Sequence, residues 1–219
     1  MNCGCKILED KYYYFVPNQY TDTGFTTTDE VRDWLFDNSL RIANLARVLF
    51  YYDSNYEPPK LPPIEIVAEK TINIAECMKD GVLADYLSFG SYYFVSQRLR
   101  DLFDQHNVSA FYSDAYVTID GERYPGAYYF FAPKVALDTI DRKLSRYIEN
   151  SQDNAAIKIN KIEQLVLDEN KVPPGTSVFT LAGTVKRIYL MSAQLSEHIQ
   201  KSEIFGMEIH PVSDGKWLY

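Results

Sequence analysis

Two segments offset by 96 residues repeat one pattern, and that pattern limits the folds open to this chain more than any other feature. SYYFVSQRLRDLFDQHNVSAFY, at 91–112, aligns with RIYLMSAQLSEHIQKSEIFGMEI, at 187–209. Tyr93 falls on Tyr189, Ser96 on Ser192, Leu99 on Leu195, Phe103 on Ile199 and Val108 on Ile204. Each copy reads as an apolar strand, a serine able to cap a helix, an amphipathic helix and a second strand. In the first copy Leu99, Leu102, Phe103 and His106 fall at i, i+3, i+4 and i+7, which makes one apolar helix stripe. Duplication and convergence on a common strand–helix–strand pattern both account for the match. Either way, two such units around one mixed sheet predict an α+β fold.

Other segments extend this expectation. KYYYFVP, 11–17, has strand composition and ends at Pro17. Thr27 and Glu30 have capping-box spacing, and Val31, Trp34, Leu35, Ile42, Leu45, Ala46 and Leu49 follow in helical rhythm, so the N-terminal region is expected to be partly helical. YYDSNYEPPKLPP, 51–63, has four prolines and reads as a loop. It is the expected boundary between an N-terminal region, 1–63, and a second domain, 64–219. Met78, Val82 and Tyr86 suggest a helix over 76–88, and Leu137, Ile140, Leu144 and Ile148 a helix after Pro133. Asp120-Gly121 is a hairpin signal after a strand over 108–119. Residues 163–168 and 177–182 read as strands around the turn NKVPPGT.

Charge narrows the function. The chain has 22 basic and 30 acidic side chains, a formal net charge of −8. Such a balance repels phosphate backbones and anionic lipid, so neither nucleic acid nor a membrane surface is expected as a partner. It attracts a basic protein. The asymmetry is internal: residues 1–90 carry 8 basic and 14 acidic side chains, against 14 and 16 over 91–219. No basic region with a following apolar run suggests a secretory signal, and no stretch reaches bilayer-spanning length, so a cytoplasmic protein is expected.

The search for bond-making machinery returns little. GxGxxG, P-loop, HExxH and GxSxG patterns are absent from the sequence. Cys3, Cys5 and Cys77 are odd in number and lack a second CxxC or HxxxH pair, so neither a disulfide framework nor a zinc site is expected. His106, His198 and His210 are scattered, and the first two fall near the polar ends of predicted helices. Asp138 and Asp141, like Asp29, Asp33 and Asp37, are spaced to share solvated helix faces. Helix capping accounts for Ser96 and Ser192. No catalytic residue, metal or cofactor is expected.

LADYLSFGSYYFVSQRLRDLF, 83–103, precedes the hairpin to YYFFAPKVALD, then IEQLVLDENKVPPGTSVFTLAG and the second repeat. This order resembles bacterial polymorphic-toxin immunity proteins of the immunity-protein-eleven and immunity-protein-forty-three group. The matching positions are Asp85, Tyr86 and Leu87, Val95-Ser96, Arg98 to Leu102, Leu165 to Asp168, Phe179, Leu181 and Ser192. Ala84 stands where that pattern often has proline, and the resemblance covers about residues 83–212, leaving out the first eighty. It implies a non-catalytic protein that binds and blocks a cognate toxin. Charge asymmetry and loop composition then place the toxin contacts at Asp29, Glu30, Asp33, Asp37, Tyr51, Tyr52, Asp53, Tyr56 and Glu57. A basic, nuclease-like toxin suits that surface. Two other classes stay open: a small hydrolase that reverses a toxin's modification, and an oligomeric structural or interaction protein, such as a homodimer.

Overall fold

A computed structural model of the chain describes residues 11–17, 25–27, 64–68, 78–89, 92–119, 121–150, 158–185 and 187–214. In chain order the strands are β1 (Tyr12–Pro17), β2 (Phe25–Thr27), β3 (Ile64–Ala68), β4 (Met78–Lys79), β5 (Val82–Leu83), β6 (Tyr86–Phe89) and β7 (Tyr92–Ser96). Helix α1 (Gln97–Gln105) comes next. It leads to β8 (Ala110–Ile119), β9 (Glu122–Arg123), β10 (Tyr128–Pro133), β11 (Ala136–Leu137), β12 (Arg146–Asn150), β13 (Lys158–Gln164), β14 (Val178–Leu181) and β15 (Tyr189–Ser192). Helix α2 (Ala193–Lys201) and β16 (Met207–Pro211) complete the described chain.

This corrects the expected fold class. The described residues form a mainly β protein with two α-helices, rather than an α+β fold on one mixed sheet. The strand–Ser–helix–strand units do form, but they are divided between two sheets. One sheet runs β2-β3-β8-β10-β7-β6, with β9 paired to β8, and it curls into a half-barrel. The other runs β11-β14-β15-β1-β16. In the N-terminal region the described elements are strands, β1 and β2; the helices expected over 29–49 and the boundary loop 51–63 lie outside the described residues.

Two expected helices are strands and turns instead. Over 76–88, Asp80 and Gly81 take φ of 53° and 78°, the left-handed pair that closes a two-residue hairpin between β4 and β5. The spacing of Met78, Val82 and Tyr86 matched a helix by coincidence, because an Asp-Gly turn resets the side-chain period. After Pro133, the Asp141 carboxylate accepts from the backbone N–H groups of Lys143 and Leu144 at 2.9 and 3.1 Å. That Asx turn stops the chain after one turn and sends it into β12. Leu144 and Ile148, assigned to an apolar helix stripe, are 61% and 49% exposed.

Three apolar clusters hold the layers together. The first fills one face of the curled sheet, with Leu87, Phe94, Ala115, Val117, Tyr128 and Phe130 under Leu83 and Ala84. The second lies between the sheets: Tyr86, Val95 and Phe131 meet Phe15, Val178, Tyr189 and Met191, and both helices insert Leu99, Phe103, Leu195 and Ile199. The third covers the far face of the five-stranded sheet, where Ile159 and Ile162 of β13 close over Tyr14, Phe179 and Leu190. Phe94 and Val95 are adjacent yet belong to different clusters. Strand β7 is thus buried on both faces, which explains its unbroken apolar run. Tyr and Phe supply much of the middle layer, with Tyr86 and Tyr93 stacked at 5.6 Å and Phe103 and Phe131 tilted against each other at 5.0 Å.

Candidate functional site

The two repeated units begin and end alike. Ser96 Oγ accepts from Leu99 N at 3.2 Å, and Ser192 Oγ accepts from Leu195 N at 3.4 Å. Each helix is followed by a residue in the left-handed region, Asn107 (φ 52°) and Glu203 (φ 53°), again 96 positions apart. The match between the copies therefore includes the backbone of both helix ends.

Asp85 welds the units together. Its carboxylate is buried and takes the Ser96 hydroxyl at 2.5 Å on Oδ1 and the Phe205 backbone N–H at 3.2 Å on Oδ2. The Asp85 backbone N–H donates to Phe205 O at 3.0 Å, and Ser96 N–H donates to Asp85 O at 2.8 Å. Arg98 stands over the carboxylate at 3.7 Å and also donates to Glu203 O at 3.0 Å. Gly206 makes this approach possible: a Cβ there would sit 2.5 Å from Ala84 Cβ. Ser96 is therefore more than a helix cap, because it also holds this carboxylate.

The helices pack on one another, and at the ends of α1 and α2 a cavity of about 610 Å³ opens. His106, the residue after α1, and His198, in the last turn of α2, stand side by side in its lining, with His106 Nε2 hydrogen-bonded to His198 Nδ1 at 2.7 Å. Ser177 holds the His106 backbone by donating to its carbonyl at 2.7 Å. Gln105, Gln194, Glu197 and Lys201 complete the polar wall. Burial first, and then the neighbouring His198, push the His106 imidazole below its usual range. The site is a polar recess whose wall carries two hydrogen-bonded imidazoles and the Lys201–Glu197 ion pair, at 3.4 Å. Among the described residues, no group of three or more His, Cys, Asp and Glu side chains gathers as a metal centre would.

A second polar feature lies where Arg100 of α1 meets β8 and β10. The Arg100 guanidinium is 4.2 Å from the centroid of the Tyr129 ring and 4.7 Å from that of Tyr112. Burial drives the Tyr112 hydroxyl pKa well upward, with Asp104 adding to the shift.

Sequence reasoning kept His106 and His198 apart, and the fold brings them together. The available clue was that both fall at the C-terminal ends of helices in matching units. His210 stands alone from that pair, stacked on Tyr14 at 5.0 Å with Nε2 3.2 Å from Glu208. Asp138 and Asp141 do not share a helix face; Asp138 lies 3.5 Å from Arg142, and Asp141 caps its turn. The expected toxin-contact residues Asp29, Glu30, Asp33, Asp37, Tyr51, Tyr52, Asp53, Tyr56 and Glu57 lie outside the described residues, as do Cys3, Cys5 and Cys77.

No helix among the described residues is long and apolar enough to cross a membrane. A comparison with curated proteins finds no match. A comparison with family models finds the immunity protein family Imm11, matched over residues 16–214. That span begins within β1, at Val16, takes in both repeated units, Asp85, His106 and His198, and starts well before residue 83. The chain belongs to the Imm11 immunity protein family, whose members serve a toxin-neutralising role.

Proposed function

We propose that this chain neutralises a cognate toxin in the cytoplasm by stoichiometric binding that occludes the toxin, without turning over any substrate. The observation that carries this reading is the family match over 16–214, which takes in nearly the whole chain rather than one module of it. Charge sets the direction of the encounter. Over residues 1–90 acidic side chains outnumber basic ones by 14 to 8, so a basic toxin is drawn to the N-terminal region. Steering of this kind raises association toward ~10⁸–10⁹ M⁻¹s⁻¹ at low salt. A nuclease-type toxin fits, because an enzyme that holds phosphate backbones is commonly basic. The contact surface is assigned to Asp29, Glu30, Asp33, Asp37 and Glu57 with Tyr51, Tyr52, Asp53 and Tyr56. Tyrosine gives contact area at low entropic cost, and the adjacent prolines reduce the ordering penalty. An interface of standard size would bury about 1,600 Å² in total.

The test is co-expression with the product of the neighbouring gene. A one-to-one complex that survives purification, with growth rescued only when the immunity chain is at least equimolar, supports the proposal. Rescue at a small fraction of the toxin dose, with no complex recovered, would show catalysis and overturn it.

A further inference from the structure

The repeat extends beyond the two helices and their flanking strands. Strand β7 lies between β6 and β10, and β10 also pairs with β8; β15 lies between β14 and β1, and β1 also pairs with β16. The registers agree residue by residue. Tyr128, Tyr129, Phe130 and Phe131 of β10 stand opposite Ser96, Val95, Phe94 and Tyr93. Tyr12, Tyr13, Tyr14 and Phe15 of β1 stand opposite Ser192, Met191, Leu190 and Tyr189, the same places in the second copy. On the other edge Pro133 pairs with Ala110 at the start of β8, and Pro17 with Met207 at the start of β16. Gln97 N–H donates to Ala127 O and Ala193 N–H to Lys11 O, each at 3.0 Å. The sequences follow suit: YYFFAP in β10 and YYYFVP in β1 agree at four of six positions. Phe131 and Phe15, at the equivalent place, both enter the cluster between the sheets.

The outer strands match as well. Tyr86, Leu87 and Ser88 of β6 stand opposite Val95, Phe94 and Tyr93, and Val178, Phe179 and Thr180 of β14 opposite Met191, Leu190 and Tyr189. Asp85 and Ser177 therefore occupy one place, and each reaches across to the other unit. Ser177 donates to His106 O after α1, and Asp85 accepts from Phe205 N–H after α2. Both units are thus β-β-α-β-β, but the chain runs through them in different order. β10 follows β8 by way of the hairpin with β9, whereas β1 precedes both units and is followed by β2 of the other sheet. The place between β15 and β16 is filled by a strand that no turn joins to either neighbour.

We propose that β1 is a transferable strand: a second copy of this chain seats its β1 between β15 and β16, so that two chains exchange the strand and form a dimer. The slot recognises its occupant by register, with backbone bonds on both edges, Phe15 in the layer between the sheets and Pro17 where the ladder with β16 starts. YYYFVP meets those demands whichever copy supplies it. Exchange replaces each contact of β1 with its sheet by an identical one. The opposing term is lost translational freedom, which rising chain concentration offsets.

A cross-link across the ladder tests this in the full chain, with Cys3, Cys5 and Cys77 replaced by Ser. Val16 and Glu208 stand opposite each other and both are half-buried. Chains carrying Val16→Cys and differently tagged chains carrying Glu208→Cys are unfolded in urea, mixed, refolded and oxidised. A disulfide joining the two chains is expected, and a tenfold rise in chain concentration should raise the ratio of dimer to monomer about tenfold by mass action. One chain with both cysteines, refolded dilute, should close the bond internally, which establishes folding and register. The unaltered chain gives a second readout: refolded at high concentration, it should yield a dimer by sizing that persists on dilution. An internal bond with no linked pair of chains up to millimolar concentration would overturn the proposal. So would linking of folded chains as fast as of refolded ones, which marks chance collision, absence of the internal bond, or absence of a dimer of the unaltered chain.

Discussion

Asp85 and Phe205, 120 residues apart, exchange two hydrogen bonds: Asp85 N–H donates to the Phe205 carbonyl, and Phe205 N–H donates to the Asp85 carboxylate. One buried side chain therefore fixes the start of the first repeated unit to the end of the second helix. Removing its oxygens leaves the Ser96 hydroxyl and the Phe205 N–H unmatched. Asp85→Ala is expected to cost about 2–4 kcal/mol in urea denaturation. The exposed carboxylate of Asp101 provides a control, since Asp101→Ala should change stability by no more than about 0.5 kcal/mol. Ser96→Ala should cost more than Ser192→Ala, because only Ser96 adds the bond to Asp85 to its capping role. Equal losses would mean that the Ser96–Asp85 bond contributes nothing.

Gly206 and Gly175 both have left-handed backbones, with φ of 86° and 81°, in opposite surroundings. A Cβ at Gly175 meets nothing within 4 Å, whereas one at Gly206 meets Ala84 Cβ at 2.5 Å and Tyr86 O at 3.0 Å. Gly175→Ala should cost about 1–2 kcal/mol from the backbone alone. Gly206→Ala adds overpacking against a rigid strand and should cost roughly 3 kcal/mol or more in total. Chemical denaturation of the two variants gives the comparison directly, and similar costs would remove the close approach from the account.

Alkaline pH should unfold this protein through its tyrosines. Burial, reinforced by Asp214 and Glu208, pushes the Tyr14 hydroxyl up to about 12, and Tyr86, Tyr128 and Tyr189 are also raised by burial. The folded state favours the neutral phenol, so the stability linked to it is fully present below pH ~10, the unfolded tyrosine value. It is lost as pH rises from there through about 12 for Tyr14. Melting temperature should fall over that window, together with a rise in tyrosinate absorbance. A melting temperature that stays level through the window would contradict this.

The proposed interface makes a kinetic prediction. Reversing charge at Asp33, Asp37, Asp53 and Glu57 together should slow association with a basic toxin and flatten its salt dependence, while dissociation changes less. Stopped-flow binding at two ionic strengths measures both rates. An association rate indifferent to all four reversals would move the interface elsewhere.

The repeated units were legible because capping and amphipathic spacing are local: Ser96, Ser192 and the stripe of Leu99, Leu102 and Phe103 need only a dozen residues of context. The two misread helices failed for an equally local reason. Asp80-Gly81 and Asp141 impose turns that outweigh an apolar spacing at both places. The division into two sheets was not legible, because nothing near β1 says that its neighbours are β15 and β16. The facing of His106 and His198 depends on helix packing, which pairs residues 92 positions apart, a separation different from the 96 of the repeat.

Strand β1 lies between β15 and β16, so the sheet partners of Tyr12–Pro17 are residues 189–192 and 207–211. A ribosome adding about 5–20 residues per second exposes β1 on the order of 10–35 s before the first of those partners exists. During that interval an aromatic segment, YYYFVP, has both edges open. Such a segment invites pairing with other nascent chains and makes a holding chaperone useful. For a protein whose value depends on being ready before its toxin acts, this long-range closure sets a minimum lag between translation and protection.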